Sequence, residues 1–542
     1  VAKIALGLDY GTNSVRALAV DTATGEELAT AVFHYPSGRA GVLESEDDVH
    51  LARQHPADYI AGFVATVREI GRSVDLQQVV GIGFDTTGSS PMPVTADNRS
   101  LSQDMPGVLA AECWLWKDHA SHAEAKEITE LARRRGEPYL AKCGGIYSSE
   151  WWWSKILHCL RTSPEVFDRA ASWVEICDWI PSVVCGINDP TAIKRSRCAA
   201  GHKAMFEEAW GGLPSIEFLN ALDPKLGALR ERLYSVVYTS EHVAGHLSAD
   251  FAEQTGLPGS LPVAVGGFDA HFGAVASGAS PGTLVKIIGT STCDCMVHPL
   301  DEPLPDVPGM CGVVRGSVLP GFYGLEAGQS AVGDIFNWVS RLTGRSHEEL
   351  TEAASALKPG QSGLLGLDWL NGNRTILVDP RLSGLFVGLN LHTTAPDLYR
   401  AAIEATAFGA LRIIERMEQY GVMVERVVAC GGIADKSALA MQIYADVFGR
   451  PVSIAKSDQT CALGSAIFAS VAAGVYANVL EAQAKMAGVR PTVFTPDAKA
   501  HETYAELYGL YRDLHDQFGV GSSLELSHVM KKLLQIKEDS IG

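Results

Sequence analysis

An α/β protein built from two related halves is the fold that this sequence predicts. Three observations predict it. The chain opens with strand-like segments that lead into a helix and a further strand; a similar strand, turn and strand begins again at Leu284; and 542 residues exceed what one hydrophobic core usually supports.

The elements follow in order. Ile4 to Leu8 and Val15 to Val20 are apolar strands on either side of the turn Gly11-Thr12-Asn13-Ser14, and Thr24-Gly25 turns the chain into a third strand, Glu27 to Tyr35. Pro56 to Ile70 spaces Tyr59, Ile60, Phe63, Val67 and Ile70 as one face of a helix, and Val79 to Phe84 is a short buried strand ending at Asp85. In the second half, Leu284 to Ile288 runs into Gly289-Thr290-Ser291-Thr292 and then into a strand from Cys293 to Val297. Both turns begin Gly-Thr and hold serine, so internal duplication is the simplest account.

The best-marked helix runs from about Pro396 to Tyr420. Thr394-Ala395-Pro396-Asp397 has the form of a capping box, Gly421 suits the stop, and Leu398, Ala402, Ala405, Phe408 and Leu411 form its inward stripe. Val424 to Cys430 is a strand, followed by Gly431-Gly432 and a helix through Met441 and Tyr444 to Phe448, an order that suits a nucleotide-binding turn. The Trp-rich stretch from about 110 to 260 is expected to be an insertion on the first half that builds a substrate pocket. After His501 the spacing is helical, ending in a mixed-charge helix that packs against the body.

Composition excludes several classes. A formal charge of −19 argues against broad attraction to nucleic acid or to an anionic membrane. Leu261 to Ser280 is nearly uncharged, but Asp269 and His271 at its middle and several glycines make it a strand, a turn and a helix start, not a membrane span. Eleven cysteines without a C-x-x-C pair, and an opening without a signal-peptide pattern, suit reduced thiols and a cytoplasmic location.

The chemistry is expected at tight turns. Backbone N–H groups of small-residue turns can grip a phosphate chain, and Asp9, just before the first turn, would reach a Mg²⁺ ion through water. Alone, that turn is an ordinary hairpin; the second Gly-Thr turn at Gly289 is what suggests two hairpins clamping phosphates. Neither a P-loop motif nor a strand-linked G-x-G-x-x-G is present. Asp269, in Gly266-Gly267-Phe268-Asp269-Ala270-His271, is the candidate general base, although an aspartate after Gly-Gly is also a common turn or N-cap residue. His271 is expected to be a packing residue. Lys203, Glu326 and Asp85 stand among apolar or small residues, where a buried charge needs either a salt bridge or a ligand.

Hairpin phosphate turns, duplication and the Gly-Gly near 431 together resemble the actin, hexokinase and chaperone ATPase fold: two actin-like (ribonuclease H-like) domains flanking a cleft. From about residue 4 to about 515 the chain resembles the FGGY carbohydrate kinases. Gly384-x-Phe386-x-Gly388-Leu389, seven residues, then Asp397-Leu398-Tyr399-Arg400-Ala401-Ala402-Ile403-Glu404 follows a signature of that family. Within it the resemblance is to the members acting on L-ribulose, through Asp85-Thr86-Thr87-Gly88-Ser89, Trp114 to His119, Ser148-Ser149-Glu150-Trp151, Glu326 to Ser330 and Leu367 to Asn373.

The resemblance implies an N-terminal domain over 1–262, with the sugar site and first phosphate turn, and a C-terminal domain over 263–542, with the ATP site and a helical tail. It implies ATP and Mg²⁺ as cofactors, phosphorylation of L-ribulose in arabinose catabolism, and a possible homodimer. Gly88, Lys203, Asp269 and Glu326 would line the sugar site, with Asp269 as base; Thr12, Asn13, Arg16, Gly289, Thr290, Gly333, Asn337, Gly432 and Lys436 would surround ATP. Lys436 stands where glycerol kinases have asparagine, and Asn337 where they have glutamine. A kinase for another ketose or polyol such as ribitol or xylulose, and a sugar-sensing protein without turnover, are the alternatives; a chaperone-type ATPase would need a further domain.

Overall fold

In a computed structural model, which describes residues 3–520, two sheets of the same design account for the repeated sequence pattern. The first contains, in spatial order, Val243–His246, Pro262–Ala264, Val79–Thr86, Ile4–Tyr10, Ser14–Asp21 and Glu27–His34, with Gly267–Phe268 also paired to Val79–Thr86. The second contains Gly312–Arg315, Phe322–Ala327, Thr292–Pro299, Thr283–Ile288, Arg426–Cys430, Val452–Ala455 and Val489–Phe494. In the first, an antiparallel meander of three strands sits beside parallel strands; in the second, four antiparallel strands do so, with Phe322–Ala327 lying between Thr292–Pro299 and Gly312–Arg315. Ile4–Tyr10 pairs parallel with Val79–Thr86, just as Thr283–Ile288 pairs parallel with Arg426–Cys430. The expected meander, duplication and two-sheet α/β architecture are all present.

Parallel strands need crossover connections. Helix Pro56–Ile70 supplies the first, packed on Ser14–Asp21 and Glu27–His34. Its counterpart, Ala395–Gln419, begins with the expected capping box: the Thr394 hydroxyl lies 2.6 Å from Asp397 Oδ2, which also accepts from the Thr394 N–H at 2.9 Å. The single inward stripe expected for it is too narrow. Most residues from Tyr399 to Ala410 are buried, because the helices His347–Ser355, Ala438–Phe448 and Ala498–His515 lie close around it.

Two helices occupy the space between the sheets. Thr460–Ala472 lies across Ile4–Tyr10 and Val79–Thr86, although the second sheet's last parallel strand precedes it in the chain. The approach requires glycine: a Cβ on Gly7 would overlap the Ala462 carbonyl, and one on Gly83 the Ser465 carbonyl. Asp269–Ala276 packs against Thr460–Ala472 on one side and against Thr283–Ile288 and Thr292–Pro299 on the other, with the Phe272 and Phe468 rings 4.6 Å apart. One apolar core therefore includes Ala5 and Val20 from the first sheet, Val285 and Val428 from the second, and both helices. The first sheet continues through Pro262–Ala264 and Gly267–Phe268, across the division expected at 262/263.

The Trp-rich insertion is mainly a core of its own. Trp114, Trp152, Trp153 and Trp173 are all at most 1% exposed and pack together with Ile128, Leu157 and Phe218. Trp116 and Trp151 are the ones that reach toward the first turn and Lys203. All eleven cysteines are free. No helix among the described residues is long and apolar enough to cross a membrane. The helix Ala498–His515 agrees with the spacing after His501, and the expected mixed-charge helix at the end of the chain lies outside the described residues.

Candidate active site

Three aspartates meet where the strands of the first sheet end. Asp9 and Asp85 are register partners on neighbouring parallel strands, and Gly267–Phe268 pairs with Asp85 and Thr86, which brings Asp269 to the same edge. Asp269 is the first residue of its helix and its Oδ1 accepts from the Ala270 N–H at 2.7 Å. Burial, followed by the like charge of Asp9, raises its carboxyl to about 7. Burial also raises Asp9, against the pull of Arg16, whose guanidinium is 3.8 Å away. Asp85, fully buried, is raised well above the usual carboxylate range by burial and then by Asp9.

This arrangement fits a cation. Ser465 donates to Asp85 Oδ2 at 2.7 Å, but Asp85 Oδ1 is buried with no hydrogen-bond partner, and the nearby Cys461 thiol adds a further donor atom. Two adjacent carboxylates, Asp85 buried and Asp9 partly buried, with a single guanidinium 3.8 Å from Asp9, need either protons or a metal ion. Asp9 and Asp85 would hold such an ion; the sequence points to Asp9 as a metal ligand, whereas Asp85 stands out there as a polar residue among small ones and as the start of the Asp85-Thr86-Thr87-Gly88-Ser89 block, with no metal role.

A second cluster lies beside the first. Lys203, at the end of helix Arg197–Lys203, places its ammonium 3.2 Å from Oε1 and 3.4 Å from Oε2 of Glu326, on strand Phe322–Ala327. The same ammonium faces the rings of Trp151 and Phe268 at 5.3 and 5.6 Å. His271 Nε2 is 3.2 Å from Glu326 Oε2. Burial works against the ionised form of Glu326, yet Lys203 and the hydrogen bond from His271 outweigh it and hold the carboxyl well below its usual range. Gly88 touches this region through Phe268: a Cβ there would overlap the Phe268 ring, directly before Asp269. Its loop is anchored by Glu175, which accepts from the Ser90 N–H at 2.6 Å, and by Lys155, which donates to the Ser89 carbonyl at 2.8 Å.

The two Gly-Thr turns are held from different sides. In the first, the Gly11 N–H donates to the Ser14 carbonyl at 3.0 Å, Trp116 Nε1 donates to the Thr12 hydroxyl at 3.0 Å, and Asn13 Nδ2 donates to the Ala40 carbonyl at 2.5 Å. In the second, Gly289 and Thr290 are exposed while their carbonyls accept from the N–H groups of Gly333 and Val332 at 3.1 and 2.8 Å. The start of helix Gly333–Thr343 is thus fastened to the turn, and Gly333 is required there because a Cβ would lie 2.6 Å from the Gly289 carbonyl oxygen. Gly431, with φ of 92°, passes beside Ile288, so the Gly431-Gly432 turn ends the strand next to the Gly289 turn.

The N- and C-terminal domain models of the FGGY family of carbohydrate kinases match residues 4–276 and 284–473. The chain belongs to the FGGY family of carbohydrate kinases. Among the relatives of this FGGY chain, a ribulokinase from Vibrio parahaemolyticus is 41% identical over 541 residues, covering 94% of this chain and 95% of its own. A ribulokinase from Mycolicibacterium smegmatis is 41% identical over 549 residues, with 96% and 95% covered. The fold is shared with a xylulose kinase from Rhodospirillum rubrum, at TM-score 0.79, 23% identity and 95% and 99% coverage, and with a Plasmodium falciparum glycerol kinase bearing ADP, at 0.78, 13%, 95% and 98%.

Of the residues implied by the FGGY resemblance, Lys203 and Glu326 make direct contact, Asp9 and Asp269 share one sheet edge, and Gly289, Thr290 and Gly333 form one hydrogen-bonded unit. Asn337 lies on helix Gly333–Thr343, where its Oδ1 is 2.8 Å from His347 Nε2, and Lys436 ends the exposed side of the short helix Gly432–Lys436. Sequence reasoning missed Cys461 and Ser465, whose helix follows the second sheet's Val452–Ala455 and carries no recognisable motif. It also set His271 aside as packing.

Proposed function

We propose that this chain transfers the γ-phosphate of ATP to the terminal hydroxyl of L-ribulose, giving L-ribulose 5-phosphate and ADP in the arabinose catabolism of the cytoplasm. The observation that carries the reading is Asp269: a half-buried carboxyl with a pKa of about 7, at the first turn of a helix that touches both sheets and next to the Lys203–Glu326 pair. That pKa suits a group that must accept a proton near neutral pH. The preference for L-ribulose rests on the similarity to ribulokinases over nearly the whole chain.

In this reading the sugar lies against Gly88, Lys203 and Glu326. Its terminal oxygen attacks the γ-phosphorus, the bond between that phosphorus and the β,γ-bridging oxygen breaks with its electron pair leaving on ADP, and the sugar's proton passes to Asp269. Thr12, Asn13 and Arg16 approach the phosphates from the first turn, Gly289 and Thr290 from the second, and Gly333, Asn337, Gly432 and Lys436 border the nucleoside. Asp9 and Asp85 would hold Mg²⁺, which would offset phosphate charge. Closure of the two lobes excludes water that would otherwise accept the phosphoryl group.

A screen of the purified protein for ADP release against pentuloses and pentitols tests the proposal. L-ribulose is expected to have the highest kcat/KM. A higher value for ribitol or xylulose would reassign the substrate, and sugar binding without ADP release for any of them would identify a sensor.

A further inference from the structure

We infer that His271 is a positioning residue for sugar recognition: its imidazole, held between Cys198 of the first lobe and Glu326 of the second, fixes the orientation in which the Glu326 carboxylate meets the sugar. The inference rests on the proposal that Lys203 and Glu326 line the sugar site.

The hydrogen-bond pattern carries the argument. A carboxylate only accepts, so His271 Nε2, 3.2 Å from Glu326 Oε2, is the donor. His271 Nδ1 is 2.9 Å from Cys198 Sγ. When the ring is neutral, the thiol S–H donates to Nδ1 and selects the tautomer with the proton on Nε2; when the ring is charged, Nε2 still donates. Glu326 therefore keeps this bond in either state. The Cys198 and Glu326 contacts raise the His271 pKa well above its ordinary value although burial opposes this.

Neighbouring His202 cannot take over. Its Nδ1 lies 3.6 Å from Glu326 Oε2, beyond hydrogen-bond reach, while its Nε2 is 3.0 Å from Ser317 Oγ. Burial, followed by the charge of His271, holds His202 well below the usual range and neutral. The two histidines and Glu326 are close enough for a metal ion, but the Lys203 ammonium at 3.2 Å already supplies the positive charge that Glu326 needs.

Placement supplies the function. His271 and Asp269 share the first turn of helix Asp269–Ala276, so the group that accepts the sugar's proton and the group that orients Glu326 are set by one rigid element. Glu326 comes from the second sheet and Cys198 from helix Arg197–Lys203 in the first lobe. The ring ties both to the turn that carries Asp269, so sugar contacts stay in register with the base when the lobes move.

Two substitutions separate this role from packing. In His271→Gln the side-chain amide reaches about as far as Nε2 and can still donate to Glu326; in His271→Asn it stops near the Nδ1 position. L-ribulose Kd, measured by calorimetry without ATP, is expected to rise about tenfold or more in His271→Asn, the scale of one lost charged hydrogen bond, and to stay within about threefold in His271→Gln, with the KM for ATP unchanged in both. Equal Kd values for the two variants, or an unchanged Kd in His271→Asn, would overturn the inference. Should His271→Asn fail to fold, Cys198→Ala loosens the ring from the other side, and an unchanged Kd there overturns it too. Glu326→Gln in the same assay distinguishes the two readings. If it leaves the sugar Kd unchanged, the proposed sugar site and the inference both fail; if it alone raises the Kd, only the inference fails.

Discussion

Lys203 and Glu326, 123 residues apart in sequence, meet with Nζ 3.2 Å from Oε1. One belongs to the short helix Arg197–Lys203 and the other to the second sheet, so the pair joins the two halves of the fold near Asp269. Removing one partner of a buried pair leaves an uncompensated charge. Lys203→Met is expected to lower stability by about 3–5 kcal/mol, and Lys203→Met combined with Glu326→Gln to recover much of that without restoring sugar binding. Chemical denaturation and sugar titration of the two variants check this; a double variant no more stable than Lys203→Met would contradict it.

The pH profile should report Asp269. As a base it acts when ionised, so kcat/KM for the sugar is expected to rise with pH through about 7, where burial and Asp9 place its carboxyl. Removing the negative charge of Asp9 lowers the Asp269 pKa, so Asp9→Asn should move the acidic limb to lower pH while reducing activity through loss of the metal ligand. A limb that stays in place would disconnect the two carboxylates.

Stability of the ligand-free protein should respond in the opposite sense to the usual salt-bridged aspartate. A carboxyl whose pKa is raised on folding keeps its proton in the native state after the unfolded chain has lost it. Stability therefore falls as pH rises from the unfolded value near 3.9 toward the folded pKa. Asp85, raised well above the usual range, is expected to behave in this way. Asp85→Asn, which can still accept from Ser465, should raise Tm near neutral pH by a few degrees, about 2–4 °C per kcal/mol for larger domains. An equal or lower Tm would show that the carboxylate is compensated.

Gly333 tests the second turn. A Cβ there meets the Gly289 carbonyl oxygen at 2.6 Å, so Gly333→Ala must push the helix start away from the Gly-Thr turn. The KM for ATP is expected to rise about tenfold while the sugar Kd is unchanged, a shift of about 1.4 kcal/mol. A sugar Kd that moved instead would relocate the function of this turn.

Much of this was legible in the residues. Strand periods around Gly11 and Gly289, the capping box at Thr394 and the Gly431-Gly432 turn are local patterns, and each appears where expected. What escaped was produced by close packing between distant segments. Gly7 and Gly83 look like ordinary strand glycines until helix Thr460–Ala472 lies on them, which is also what brings Ser465 and Cys461 to Asp85. His271 could be read as packing because its partners, Cys198 and Glu326, lie 73 and 55 residues away. The tryptophans pointed to a pocket by composition alone, whereas most of them fill a separate core.

The most direct measurement is the turnover of Asp269→Asn with L-ribulose and ATP, made alongside its sugar Kd. Loss of a general base lowers kcat by about 10²- to 10⁴-fold, and the sugar Kd should be nearly unchanged because Lys203 and Glu326 remain. Near-normal turnover in that variant would remove Asp269 from the reaction and contradict the proposed phosphoryl transfer at this site.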